Sequence, residues 1–438
     1  MMLNKIKNKK SLIFIIISII FILFMIIFYG YRLIYFYKLE NPTGSKLVEN
    51  LSLADNIINK SVIVTSGDGL YYDGDNYTFK GNATNNHIYY SGLMWRVVRI
   101  NKDKTIKMIS NEVLTNLNWD YKESLDISSL NNWMNEKFLS NLSHQEYLKN
   151  DKICIDIVEE VSKKECKNYF ETQKLGFLSV NEYIEAEGKK SYLNNSKAWW
   201  LSNADSNNNL WYVNSNGGVS NTNSDESHGI RLTITLNETI ASVKGNGSEE
   251  NPFVIENDTY ASLSQINVGS YLKFSDRVWR VIDKNEKSIK LVLDGYLEQN
   301  KSFSNYNNVY NVWDYSNIGY YLNNEFYNSL INKEYVIAGD YYNGEYMDNN
   351  YKTTEASKIS VNVGLLSIGE LFTNDYNNIF LLTPYSDSQM IYTIDNNCYL
   401  YGNSVKTSLS VRPVIYLDNT LLVKSGNGFK NNPFEIGK

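Results

Sequence analysis

Proline is scarce in this chain, five residues in 438, while Asn, Lys, Ile and Tyr are heavily used. An AT-rich genome imposes that bias on any protein, so abundant Asn is not by itself a sign of a binding surface. Histidine is scarcer still, with only His87, His144 and His228. None belongs to a His-Glu-x-x-His arrangement, no Gly-x-Ser-x-Gly elbow occurs, and no Walker lysine follows a glycine loop. These gaps exclude the zinc-peptidase, α/β-hydrolase and P-loop chemistries. Ser270-x-x-Lys273 imitates a transpeptidase motif but opens a predicted strand rather than a helix. Basic surface is lacking too: the formal net charge is -6 and no lysine-rich arm occurs beyond the first ten residues, which argues against nucleic acid as a partner. Of three cysteines, Cys154 and Cys166 lie close enough for a local disulfide in an oxidising compartment, and Cys398 is left over. The spacing does not suit zinc, and no histidine lies near the pair. No enzymatic activity, metal or cofactor is expected.

What the chain does have begins with an apolar run. Leu12 to Phe28 is interrupted only by Ser18 and with Tyr29 would span roughly 27 Å as a helix, enough to cross a bilayer. Lys5, Lys7, Lys9 and Lys10 precede it, which places the N-terminus in the cytoplasm and exports everything after residue 30. Residues 1–29 are read as a single-pass anchor and 30–60 as a stalk with a short helix across Leu47 to Ile58. The rival reading is a cleaved signal peptide, for which the small residues of a cleavage site are missing.

Beyond the stalk the sequence repeats itself. Trp95-Arg96-Val97-Val98 returns as Trp279-Arg280-Val281-Ile282, each in the second run of a β-hairpin. A third strand follows, Ile106 to Ile109 and Ile289 to Val292. Then come a Trp-Asp-Tyr triplet at 119–121 and 313–315 and a short amphipathic helix, Trp133 to Phe138 and Tyr321 to Phe326. Ser179-Val180-Asn181-Glu182 and Ser367-Ile368-Gly369-Glu370 read as capping boxes rather than catalytic carboxylates. Arg231 and Arg412 recur at one position and read as buried scaffold rather than ligand groups. Each copy closes on a Val-Lys-(Ser)-Gly-Asn-Gly run that leads to Asn-Pro-Phe, at 243–253 and 423–434, read as a joint. The expected division is one domain over 61–256 and a second over 257–438.

The candidate binding surface lies in the first copy: Asn203, Asp205, Asn207, Asn209 and Trp211, continued by Asn214 and Asn216. Amides both donate and accept, and an exposed indole offers an apolar platform, a combination suited to glycans or peptide loops. Asp205-x-Asn207-x-Asn209 imitates the start of a calcium loop but lacks its glycine and its closing glutamate. The competing reading is a polar surface loop with Trp211 in the core.

At the Trp-Arg strand, the Gly-[Leu/Phe]-Leu-Ser-x-x-Glu step, the Trp-Trp-Leu-Ser segment running to Trp-Tyr-Val-Asn and the closing Val-Arg-Pro strand, the chain resembles a family of surface proteins of low-GC Gram-positive bacteria and their wall-less relatives. Both copies are covered. The first departs from the pattern in having Leu232 where the family has proline. The second keeps Pro413 but has Ile391 in place of the recognition tryptophan. The resemblance implies an α+β fold class, an N-terminal transmembrane helix followed by two tandem C-type-lectin-like domains of the formylglycine-generating-enzyme type. That enzymatic activity uses a cysteine pair, which the lone Cys398 cannot reproduce. The expected function is non-catalytic recognition or adhesion at the cell membrane, with the domains extracellular and a glycan or protein as ligand. The alternative is a structural envelope protein that uses both domains for assembly.

Overall fold

The computed structural model describes Met25 and residues 51–119, 129–161, 165–171, 174–242, 244–255, 259–305, 313, 316–344, 358–370, 378–385 and 389–438. The expected anchor apart from Met25, most of the stalk, residue 257 and the second and third residues of both Trp-Asp-Tyr triplets lie outside them. Among the described residues no helix is long and apolar enough to cross a membrane. The architecture is mostly β-sheet with few, short helices.

Ser52–Lys438 forms one compact unit. It starts earlier than expected: Leu53–Lys60 is helical, capped by the Ser52 hydroxyl, and buries Leu53, Ala54 and Ile57. Leu53 N–H donates to Ile240 O at 2.6 Å, so the last turns of the expected stalk belong to the folded body.

The repeat in the sequence is a repeat in the sheets. In the first copy, strands Leu148–Lys149, Thr233–Leu236, Ile106–Ser110, Leu93–Ile100, His87–Tyr90 and Phe253–Val254 lie side by side. In the second, Val336–Ile337, Val414–Asp418, Ser288–Leu293, Arg277–Lys284, Tyr271–Phe274 and Phe434–Gly437 follow the same order. Even the bulge recurs, between Val97 and Arg99 and between Val281 and Asp283. The last strand of each copy runs parallel to the first strand of its Trp-Arg hairpin, Phe253 beside Ile88 and Phe434 beside Leu272, and in the first copy two further strands, Gly69–Tyr72 and Tyr77–Lys80, precede that hairpin. The closing glycine run is therefore a clasp within each copy. Gly245 and Gly426 hold φ of +101° and +91°, and a Cβ on either would collide with the carbonyl of Pro252 or Pro433, which only glycine avoids.

Trp95 and Trp279 are fully buried, and each indole N–H donates 3.0 Å to a carbonyl five residues back, Tyr90 O and Phe274 O. An indole enters a core cheaply only with its N–H paired. Arg231 and Arg412 are buried scaffold as expected: their Nε atoms donate to Ser110 O at 2.9 Å and Leu293 O at 2.8 Å, and Arg231 lies over the Trp199 ring. The expected helices at Trp133–Phe138 and Tyr321–Phe326 form with π-helical bonding.

The copies are packed against each other. Arg280, buried, donates to Glu112 Oε2 at 2.5 Å. Thr115 Oγ1 donates to Glu370 O at 2.8 Å, Trp133 Nε1 to Gly369 O at 2.9 Å and Ala198 N to Asn397 O at 3.0 Å. Asn116 Nδ2 donates to Cys398 O. His228 completes the seam, stacked on Tyr212 at 4.0 Å and edge-on to Tyr399 of the second copy.

Candidate functional site

The second sheet of the first copy carries the residues singled out from the sequence. Its strands Trp199–Ala204, Leu210–Val213 and Val219–Thr222 are joined by two five-residue turns, Asp205–Asn209 and Asn214–Gly218. Asp205 Oδ1 accepts from Asn207 N at 2.9 Å and Asn209 N at 2.8 Å, while Oδ2 accepts from the Asn209 and Asn221 amides, both at 2.9 Å. Burial pushes the Asp205 carboxyl up, but the Asn209 and Asn207 donors outweigh it and hold it below its ordinary value. Asn214 Oδ1 repeats the scheme, accepting from Asn216 N at 3.2 Å and Gly218 N at 2.9 Å. Asp395 does so again in the second copy, with Asn397 N at 2.8 Å and Tyr399 N at 2.9 Å. In all three turns the fourth residue, Asn208, Gly217 or Cys398, has positive φ.

This recurring geometry is turn chemistry: a short side chain mimics a backbone acceptor and lets the chain reverse. Asp205, Asn207 and Asn209 build the turn at one end of strand Leu210–Val213 and Asn214 and Asn216 the turn at its other end, and the calcium-like spacing at Asp205 is satisfied by N–H donors. Asn207 and Asn216 remain exposed.

Asn203 and Trp211 do something else. Asn203 is fully buried; its Oδ1 accepts from Val180 N at 2.8 Å and its Nδ2 donates to Asp156 O at 2.9 Å. Trp211 is only 7% exposed, and its indole donates to Val158 O at 2.9 Å. Trp211 is thus a covered residue, the second of its two sequence readings, and all eight tryptophans of the chain are buried. Ser202 Oγ donates to Cys154 O at 2.7 Å, and Val158 N to Ala204 O at 2.9 Å. Asn203, Trp211 and their neighbours form the base that grips segment 154–158 from below.

That segment belongs to a hairpin, Lys152–Cys154 paired with Tyr169–Glu171, stapled by the Cys154–Cys166 disulfide that the spacing suggested. Cys154 and Val158 point into the base, while Ile155, Ile157, Val161 and Tyr169 are 42%, 67%, 39% and 49% exposed. Asp156 braces the loop, accepting from Lys167 N at 2.9 Å and Asn168 N at 2.7 Å. Asp156 and the two sulfurs lie within 4.8 Å of one another, but sulfurs bonded to each other carry no thiolate charge to offer a cation.

Beside the hairpin opens a cleft of about 470 Å³, walled by Tyr169, Lys152 and the disulfide on one side and by Lys80, Arg99 and Asn181 on the other. Its floor is Glu182, which completes the expected capping box with Ser179. The glutamate has a second role that the sequence reading missed. Lys107 Nζ, buried, meets Glu182 Oε1 at 2.6 Å and Asp151 Oδ2 at 3.7 Å, and Arg99 approaches at 3.7 Å. Burial opposes the charge, but Lys107 and Arg99 overcome it and hold the Glu182 carboxyl at about 2. Lys290 and Glu370 form the same buried pair in the second copy. There Ser367 N donates to Glu370 Oε2 at 2.8 Å, but the Ser367 hydroxyl turns to Tyr342 O, leaving half a box. The signal for the pair was a lysine recurring at one place in the third strand, Ile-Lys-Met-Ile and Ile-Lys-Leu-Val.

The histidines are dispersed: His87 Nδ1 lies 3.1 Å from Gly247 O, His144 Nδ1 3.2 Å from Glu146, and His228 is enclosed by aromatic rings. No family model matches the chain, and neither a curated protein nor a solved structure matches it.

Proposed function

We propose that the chain is a non-catalytic recognition or adhesion protein, held at the cell membrane by its N-terminal apolar run with both copies outside, and that its ligand is a protein. Each copy is taken as a C-type-lectin-like unit. The exposure of Ile155, Ile157, Val161 and Tyr169 on one disulfide-stapled hairpin carries the reading. Scattered exposed apolar residues need no explanation, but four on one disulfide-stapled hairpin beside a charged cleft fit a protein-binding surface. The disulfide also fits an oxidising exterior. A glycan platform is less well supported, because the tryptophans are buried and the amides are engaged in turns.

Full-length protein is tested on protein and glycan arrays, alone and as Ile155→Asp with Ile157→Asp. Protein binding that the double substitution removes, with an unchanged circular dichroism spectrum, supports the reading. Binding that survives it, or confined to glycans, overturns it. Exposed Tyr296, Tyr320 and Ile331 on the second copy favour a second reading, a structural assembly protein. Concentration-dependent oligomers abolished by Tyr320→Asp would select that one.

A further inference from the structure

His228 lies in the seam between the copies with nothing to bond to. It is 1% exposed, and neither Nδ1 nor Nε2 has a hydrogen-bond partner among the described residues. Its surroundings are rings. Tyr212 stacks on it at 4.0 Å with 14° between the planes, Trp200 meets it edge-on at 4.5 Å, and Tyr399 of the second copy meets it edge-on at 5.6 Å. The titratable groups packed around it are Tyr212 and Tyr399, both pushed up by burial, with Glu226 acting on both and Asp395 on Tyr399. The neighbouring strands Thr115–Asn118 and Trp199–Ala204 carry no ionisable side chain. No charge acts on the imidazole itself, and burial alone pushes it down to about 4.

A neutral imidazole leaves one N–H unmet in this cage, whereas an imidazolium brings a second donor and a net charge. The Tyr212 face attracts a cation but accepts neither in-plane N–H. Water is the acceptor that remains, and it reaches the ring only where a wall gives way. Trp200 and Tyr212 stand on paired strands, and Trp200 Nε1 is further tied to Leu117 O at 2.9 Å. Tyr399 instead ends a turn, Asp395–Tyr399, and is half-buried. The first copy holds that turn by three hydrogen bonds: Ala198 N to Asn397 O at 3.0 Å, Asn116 Nδ2 to Cys398 O and Lys197 Nζ to Asn396 O. Water replaces such bonds at small net cost.

We propose that His228 is a proton-operated latch: while neutral it lets the Asp395–Tyr399 turn of the second copy seat on the first, and on taking up a proton it lifts the turn, hydrating the ring and uncovering Cys398. The ring exposed to water returns to its ordinary value of 6.5. Seating is therefore complete above that pH and is lost as pH falls toward 4.

Cys398, fully buried in that turn, is the one cysteine outside the disulfide and serves as reporter. The test is the rate at which dithiodipyridine, a thiol reagent active in acid as well as at neutrality, labels Cys398 in the full-length chain, divided at each pH by its rate with a small thiol. From about pH 7 to about pH 5 the ratio is expected to rise about tenfold or more, and in His228→Phe to stay flat. His87→Phe controls for unfolding of the whole chain and is expected to keep the rise. A flat ratio in the unaltered chain, the same rise in His228→Phe, or loss of the rise in His87→Phe overturns the latch. Should either variant fold poorly, the unaltered chain decides. A local opening labels at a rate little changed by dilute urea, and a rate that climbs with urea as steeply as global unfolding does overturns the proposal.

Discussion

Trp211 holds the hairpin from beneath instead of meeting a ligand. Trp211→Ala is therefore expected to cost about 3–5 kcal/mol of stability, read from urea unfolding, whereas Asn216→Ala costs little. Any loss of binding in the tryptophan variant then reports a collapsed base. Lys107 and Glu182 make a sharper case. Removing one member of a buried pair strands the other, at about 3–5 kcal/mol, while removing both charges is far milder. Lys107→Met alone should be strongly destabilised, and Lys107→Met with Glu182→Gln should recover most of the loss, since the amide oxygen still caps Ser179. A double variant as unstable as the single one would count against this account. The Glu182 carboxyl is ionised in the folded chain down to about pH 2, against 4.5 ordinarily. Its contribution is complete above 4.5 and is lost as pH falls toward 2, and Glu182→Gln should remove that part of the acid slope.

Among the elements, the stapled hairpin is where stability and recognition meet. Closing a loop of twelve residues removes denatured-state freedom worth about 3 kcal/mol. Reduction should lower the unfolding free energy by about that amount and remove ligand binding, while the second copy keeps its native amide-exchange protection; binding unaffected by reduction would exclude the hairpin. Local elements were legible in the sequence because local rules set them: the two-strand hairpins, the Ser179 cap, the disulfide; the glycine run was legible as turns, but it closes each copy instead of joining the two. The Asn-rich turns were seen with two readings left open, because a side chain that closes a turn and one that meets a ligand share the same composition. Segment 154–161 passed unnoticed as a surface, since nothing in Ile155-Asp156-Ile157 says which face Trp211 will take.

At the scale of the molecule the duplication was legible but the seam was not. Arg280 and Glu112 are 168 residues apart, and Glu112 lies outside every repeated landmark, so no spacing could pair them. The seam also carries a proton sensitivity. Burial holds His228 and His87 at about 4, against 6.5 ordinarily, so the unfolded chain takes up protons first as pH falls. Stability is complete above 6.5 and declines between 6.5 and 4, a window above that of Glu182. His228→Phe should flatten that decline in a pH series of urea midpoints, and an unaltered slope would acquit the ring.

The parallel pairing of each closing strand with the first strand of the Trp-Arg hairpin has a genealogical consequence. Because Phe253 lies beside Ile88 and Phe434 beside Leu272, the repeated core of each copy ends next to the strand on which it begins. A gene can then acquire or shed a whole copy, as a cassette, without cutting through the sheet of its neighbour, so relatives differing in length by about one unit are the expected descendants of such a design.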